Sequence, residues 1–293
     1  MSDTIQIFDR VRIRANRNRG ALHSGHAFLH EWCARALLSR LNDIKRDFSL
    51  GVSVGAGGSN ILRQTPKIKT LITTDLSERL LQGISGMRIQ ADEEFFPFGA
   101  ESLDLVLSPM ALHTVNDLPG TLLQIRQALK PDGLFMGALL GGETLHELRQ
   151  VMAESELSLR EGLSPRIFPF ADKPQMGSLL QRAGFSLPVV DSEIVTVTYE
   201  NAFKLMRDIR LMGEGNAIIR RDKSYTGKAL FMETARLYQE RFSGPDGRIE
   251  ATFEVIFLIG WSPHESQQKP LKPGSATARL ADVLNAKEIQ APR

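Results

Sequence analysis

The residues of this sequence that could do chemistry fall where apolar runs end. The first such place is Val52-Ser53-Val54-Gly55-Ala56-Gly57-Gly58-Ser59, an apolar run that turns on glycines. Glycine lets backbone approach a ligand closely, and a following helix N-terminus offers free N–H groups, so Gly55 and Gly57 are candidate binding positions. Asp75 closes a second apolar run twenty residues after Gly55. A carboxylate there can accept both hydroxyls of a ribose. Asp92 closes a third run, where its carboxylate can meet the amino edge of an adenine. Singly, a glycine turn, a helix-capping aspartate and a loop aspartate are commonplace; their joint spacing points to a ligand site. Ser59 stands where a pyrophosphate fingerprint has its third glycine, so adenosine with a short charged group fits better than a dinucleotide.

Further along, His113 follows a fourth apolar run, at the edge where a substrate would face such a ligand. A histidine there can act as acid or base near neutral pH, or it can be a loop residue bonded to backbone. Ser108 and Asn116 flank it and could orient ligand or substrate. His23, His26 and His30, with Glu31, have the spacing of one helical face and the composition of a two-histidine, one-carboxylate iron site. A wet, basic helix face is the simpler reading, and no metal is expected. Cys33, the one cysteine, excludes an intrachain disulfide and sits beside Trp32 as a small core residue suited to a reducing compartment. Arg220 and Arg221 read as a solvated pair or a contact for an acidic partner.

The elements that must hold these residues alternate. Strands are expected at 48–54, 68–74, 87–91, 103–107 and 134–140, with helices at 60–64, from 77, and at 118–129. The turn at Lys130-Pro131-Asp132-Gly133 follows from proline's fixed φ and glycine's freedom. Such alternation predicts a doubly wound α/β sheet, mainly parallel, whose carboxyl edge carries the site. Helices at 144–159 and 173–183, a strand at 189–199, helices at 202–212 and 228–242, and a strand at 252–261 complete seven strands. The helical insertion at about 200–245, before the last strand, is longer than an ordinary connection. The chain therefore reads as a basic helical arm (1–46), a ligand-binding core (47–142), a second part of the same sheet (143–262) and an extended or disordered tail (263–293).

Composition narrows the function. Hydrophobic residues at 42% and charged residues at 24% describe an ordinary globular chain. No apolar run approaches the roughly 18 residues a spanning helix needs. The net charge of +2 does not indicate a nucleic-acid binder, but the first 46 residues alone carry +5. That arm is Arg-rich like a mitochondrial presequence, yet its apolar pattern (Ala27, Phe28, Trp32, Leu37, Leu41) leads as a helix straight into the domain.

The core segments resemble class I S-adenosylmethionine-dependent methyltransferases: the glycine turn, Phe96-Pro97-Phe98, the strand at 103–107 and the Lys-Pro-Asp-Gly turn. Ser53 stands where that family has a first-strand acid. The flanks narrow the resemblance. Phe8-Asp9-Arg10, Ala91-Asp92-Glu93-Glu94-Phe95, Leu112-His113-Thr114-Val115-Asn116-Asp117, Gly141-Gly142-Glu143-Thr144, Met212-Gly213-Glu214-Gly215-Asn216 and His264-Glu265-Ser266-Gln267 are similar to the methyltransferase-fold assembly factors of respiratory complex I. The bacterial relatives of those factors are often grouped with malonyl-carrier-protein methyltransferases of biotin synthesis. The resemblance implies a Rossmann-like class I fold and S-adenosyl-L-methionine as cofactor, with Asp75 on its ribose, Asp92 on its adenine, and Gly55, Gly57 and Ser108 around it. It also implies a protein substrate, an iron–sulfur subunit of complex I hydroxylated on an arginine, and membrane association no closer than peripheral. Malonyl O-methylation and a non-catalytic assembly chaperone remain the alternatives. With Phe8-Asp9-Arg10 so near the start, a bacterial, cytoplasmic protein is expected rather than one of the mitochondrial matrix, with the arm's arginines facing the cofactor carboxylate or an acidic partner.

Overall fold

The computed structural model describes residues 6–268, apart from residues 24 and 161, together with residue 275. The expected tail from Pro263 falls mostly outside these residues. Two compact units divide the chain, Met1–Pro263 and His264–Arg293; all that follows concerns the first.

Seven strands form one sheet: β1 (Phe48–Val54), β2 (Ile68–Asp75), β3 (Arg88–Gln90), β4 (Leu103–Pro109), β5 (Leu129–Leu140), β6 (Ser186–Tyr199) and β7 (Ile249–Trp261). Their order is β3-β2-β1-β4-β5-β7-β6. Strands β1 to β5 run parallel, whereas β7 pairs antiparallel with both β5 and β6. The order reverses between β1 and β4, so their carboxyl ends open a crevice at that point. This is the Rossmann-like class I methyltransferase fold. Central strands are apolar throughout because helices cover both faces. The edge strand β6 instead alternates, its threonines interleaved with Val195 and Val197, because one face is half open to water.

Helices α1 (Arg10–Gly20) and α2 (Phe28–Asn42) precede the sheet, and α3 (Ser59–Leu62), α4 (Glu78–Gln82) and α5 (Leu118–Ala128) lie between parallel strands. They are followed by α6 (His146–Leu159), α7 (Lys173–Arg182), α8 (Ala202–Leu211) and α9 (Lys228–Phe242). One face of the sheet packs on Leu37 and Leu41 of α2, Leu148 and Val151 of α6, and Leu237 and Tyr238 of α9. The other packs on Leu122 and Ile125 of α5 and on Met176 and Leu180 of α7. Cys33 is wholly buried in the first of these layers, and burial pushes its thiol pKa up.

The arm departs from a single helix. Backbone crowding at Gly20, where a Cβ would lie 2.9 Å from the Leu211 carbonyl oxygen, and the positive φ of Gly25 (101°) separate α1 from α2. Helix α1 instead folds back over the carboxyl edge of the sheet. Residues 130–133 mark an irregular start to β5 rather than a separate turn: Asp132 takes φ 61°, and the β4–β5 register shifts there.

Candidate functional site

The glycine turn after β1 is built for close approach. Gly55 has φ 94°, and a Cβ on it would come within 2.8 Å of the Ala111 Cβ. At Gly57 the imidazole of His30 leaves no room for a Cβ at all. The two serines that break the familiar patterns satisfy each other. The Ser53 and Ser59 hydroxyls are 2.8 Å apart, and the Ser59 hydroxyl also donates to the Gly55 carbonyl at 2.8 Å. The turn is thus pinned by hydroxyls from strand and helix where an acid and a glycine would otherwise stand.

Asp75 ends β2, as its position in the apolar run predicts. One carboxylate oxygen accepts the Ala56 N–H at 2.8 Å and the other accepts the Ser77 N–H at 2.7 Å, so Asp75 ties the glycine turn to the start of α4. A guanidinium from the arm, Arg17, lies 3.3 Å away. Asp92 receives Arg10 through two nitrogens, at 2.5 and 3.2 Å. Between the two aspartates sits Glu93, buried and paired with both Arg10 and Arg17. The structure therefore brings Asp75 and Asp92 to one edge and sets α1 across them. The arm's arginines face these carboxylates themselves. Burial opposes charge on both Asp75 and Glu93, but the outcomes differ. Arg17 and Arg10 outweigh burial at Glu93 and hold it below the usual range, while burial and the nearby Glu93 leave Asp75 above it.

His113 lies in a 3-10 turn, Leu112–Thr114, just past β4. Its Nε2 is 3.0 Å from Glu214, a residue between α8 and α9, and its Nδ1 is buried with no partner. His30 approaches the same carboxylate at 3.7 Å and packs on Gly57. Burial pushes the His30 pKa down, against the pull of Glu214. Despite its own burial, Glu214 is held at about 2, chiefly by His113 and then by His30 and Arg17. The Glu214 carboxylate thus fixes the orientation of the His113 ring, with Nδ1 facing away from it. Ser108, at the end of β4, likewise keeps a buried hydroxyl without a partner.

Other candidates go elsewhere. Asn116 is a clamp for the arm: its side-chain oxygen accepts the Ile7 and Phe8 N–H groups at 2.8 and 2.7 Å, and its amide donates to Glu94 at 2.9 Å. His23, His26 and His30 do not share a helical face, because the break between α1 and α2 separates them. His26 pairs with Asp208 at 2.5 Å and Glu31 with Arg35 at 3.2 Å, and no group of three ligands suited to a metal exists among the described residues. Arg221 faces Asp9 at 3.4 Å and so anchors the arm to the insertion.

Sequence reasoning passed over Arg17, Glu93 and Glu214 as site residues. Glu214 had a signal: it is flanked by Gly213, whose φ is 91°, and by Gly215, packed on Asn16. Glutamine at 214 is expected to flatten the acid limb of the stability profile. A carboxylate held at about 2 contributes stability above the unfolded value of about 4.5 that is lost as pH falls toward 2. Urea midpoints measured from pH 6 to pH 2 should therefore fall less steeply for Glu214→Gln than for the parent.

Beside Glu214 opens a pocket of about 720 Å³ whose walls come from α1, α6, α8 and the insertion, including Asn16, Met152, Met206 and Phe231. Such a volume lies in the range of ligand sites.

Residues 52–137 match the family model of a methyltransferase domain. Among curated proteins, the mitochondrial arginine-hydroxylase NDUFAF5 of Danio rerio is 38% identical over 98% of this chain and 92% of its own. A malonyl-[acyl-carrier protein] O-methyltransferase of Gallionella capsiferriformans is 31% identical over 88% of this chain and 92% of its own. Among solved structures, the YcgJ protein of Bacillus subtilis superposes with a TM-score of 0.55 at 14% identity, over 78% of this chain and 99% of its own, a likeness of fold. The similarity to the hydroxylase runs through the arm, the glycine turn and the insertion that supplies Glu214, and the chain belongs to the family of the arginine-hydroxylase NDUFAF5, within the methyltransferase superfamily.

Proposed function

We propose that this enzyme binds S-adenosyl-L-methionine and hydroxylates an arginine of a protein, an iron–sulfur subunit of respiratory complex I. The observation that carries the reading is the 38% identity to the arginine-hydroxylase NDUFAF5 over 98% of the chain. The residues present fit the cofactor: a glycine turn with no room for Cβ atoms, a buried unpartnered hydroxyl on Ser108, and carboxylates at the ends of β2 and just beyond β3. Asp75 would hold its ribose, Asp92 its adenine and the Gly55–Gly57 backbone its methionine end. When bound, the cofactor would supply a sulfonium centre; hydroxylation needs in addition an oxidant that delivers one oxygen atom, such as dioxygen with a two-electron reductant, from outside the chain. His113, with Nε2 fixed by Glu214, would hold or take a proton at Nδ1. The free, buried Cys33 fits a reducing compartment such as the bacterial cytoplasm, and among the described residues no helix is long and apolar enough to cross a membrane.

The test is the intact mass of the iron–sulfur subunit from wild-type and deletion cells. A gain of about 16 Da in wild type is expected, the mass of one oxygen atom. A gain of about 14 Da would mean methylation, and no difference would remove the arginine reading. The 31% identity to the malonyl O-methyltransferase favours a second reading, esterification of a malonyl thioester. It predicts that the deletion strain needs added biotin; growth without biotin excludes it.

A further inference from the structure

The pocket beside Glu214 carries charge that the site chemistry does not use. Its floor is apolar, with Leu145, Met152, Phe168, Phe170, Met206 and Phe231. Its lining also carries six cations, Arg12, Arg19, Arg166, Arg210, Arg221 and Lys223, and two acids, Glu214 and Asp222. Two of the cations have carboxylate partners, Arg166 with Glu156 at 2.6 Å and Arg221 with Asp9 at 3.4 Å. Arg12 feels the charge of Asp9 without a close ion pair, and Arg19 donates to the Asn16 side-chain oxygen at 3.3 Å. The other four cations belong to three elements: Arg12 and Arg19 to α1, Arg210 to α8, and Lys223 to the connection before α9. Burial, then the charges of Arg19 and Arg221, push the Arg12 guanidinium below its ordinary value against the pull of Asp9, with Arg210 adding to the push, so these arginines lie within reach of one another's charge. Six cations against two acids, Glu214 and Asp222, in a lining otherwise largely apolar form a local complement to a ligand that is both acidic and apolar, in a chain of net charge only +2.

A ligand with one anionic head would meet one of these elements and leave the others crowded. Several carboxylates with apolar side chains between them would meet all of them. We propose that this pocket docks an acidic, apolar segment of the protein substrate. Its carboxylates would lie on Arg12, Arg19, Arg210 and Lys223, and its apolar side chains on the floor. The inference rests on the protein-substrate reading above. Glu214 lines the pocket and also meets His113 and His30, so a segment docked here delivers its neighbouring residues to the edge where His113 and the glycine turn meet. The excess charge of the first 46 residues would then be part of substrate selection.

The experiment is fluorescence polarisation of a labelled hexapeptide of alternating glutamate and leucine against the full chain. A glutamine-for-glutamate peptide and malonyl-pantetheine serve as competitors. The glutamate peptide should bind at least about tenfold tighter than the glutamine one, and its affinity should fall as salt screens the contacts. The double variants R12E/R210E and R19E/K223E should each weaken it at least about tenfold. S-adenosylmethionine titration and the melting temperature should be unchanged, because Arg12, Arg210 and Lys223 are exposed and Arg19 is half-buried. Equal binding of the two peptides, or full binding by both double variants, overturns the proposal. No binding of the glutamate peptide overturns it, and binding of malonyl-pantetheine seen by calorimetry would then give the pocket to an acyl group. If the peptide binds as expected while the subunit mass is the same in wild-type and deletion cells, the docking stands and the hydroxylase reading falls.

Discussion

Methionine in place of Arg17 is expected to lower the unfolding free energy by about 3–5 kcal/mol, read from urea denaturation at pH 7. Arg17 is buried, and it is the cation that Asp75 and Glu93 share. Methionine preserves much of the stem's packing, so the loss isolates the charge. Removing one partner of a buried ion pair costs far more than the pair contributes, because the remaining charge has neither water nor counterion. Glu93 keeps Arg10, so the penalty falls mainly on Asp75, left with two backbone N–H donors and a neighbouring carboxylate. Lysine should recover only part of the loss, since one ammonium does not reproduce a planar guanidinium that reaches two acids.

The pH dependence of that penalty has a definite sign. Arg17 lowers the folded pKa of both carboxylates, so its removal raises both. Groups whose folded pKa rises lose stability as pH climbs through it and regain stability in acid. The deficit of Arg17→Met should therefore be largest at pH 7 and shrink toward about pH 4, where protonation relieves the unpaired charge. Adding Glu93→Gln should return part of the deficit at pH 7, because the two acids repel through a shared site. A loss below about 1 kcal/mol at pH 7 would mean that these carboxylates are solvated or already neutral.

What the sequence made legible here was periodicity. The strand at 48–54 and the helix at 228–242 match β1 and α9 residue for residue, since each is a long apolar pattern with clear stops. Asp75 was legible as an edge residue for the same reason, since an acid that closes an apolar run sits where a buried strand leaves the core; Asp92 follows β3, whose three residues are exposed. What could not be read was contact between distant segments. Asn116 looks like a loop amide, and only the folded chain shows it clamped to residues 7 and 8. The spacing of His23, His26 and His30 suits a helix that Gly20 and Gly25 interrupt. Arg17 and Glu214 reach the site across 58 and 101 residues of chain, to Asp75 and to His113, and no local pattern encodes such a pairing. The arm's arginines are expected to face the cofactor carboxylate or an acidic partner, whereas Arg10 and Arg17 pair with the chain's own Asp75, Asp92 and Glu93, because the break after Gly20 lets α1 fold back on this edge.

Asparagine in place of Asp75 is expected to weaken S-adenosylmethionine binding at least about tenfold by isothermal titration, and to lower stability by about 1–3 kcal/mol. Both effects follow from the same two oxygens. In the parent each oxygen accepts a backbone N–H, from Ala56 at 2.8 Å and Ser77 at 2.7 Å. Asparagine offers one acceptor and one donor, so whichever way the amide lies, its NH₂ faces an N–H. If the clash falls on Ala56, the glycine turn moves, and with it the backbone at Gly55 and Gly57 proposed to meet the methionine end of the cofactor. If it falls on Ser77, the start of α4 loosens and the turn is kept. In either case the charge available to a ribose is lost, which separates this variant from Arg17→Met, where both oxygens remain. The cofactor should therefore still bind Arg17→Met once the variant is folded, and its ribose contact should be stronger there, because Arg17 no longer shares Asp75. Unaltered cofactor affinity in Asp75→Asn would refute the ribose assignment. A drop in stability without a drop in affinity would reduce Asp75 to a strut between the glycine turn and α4.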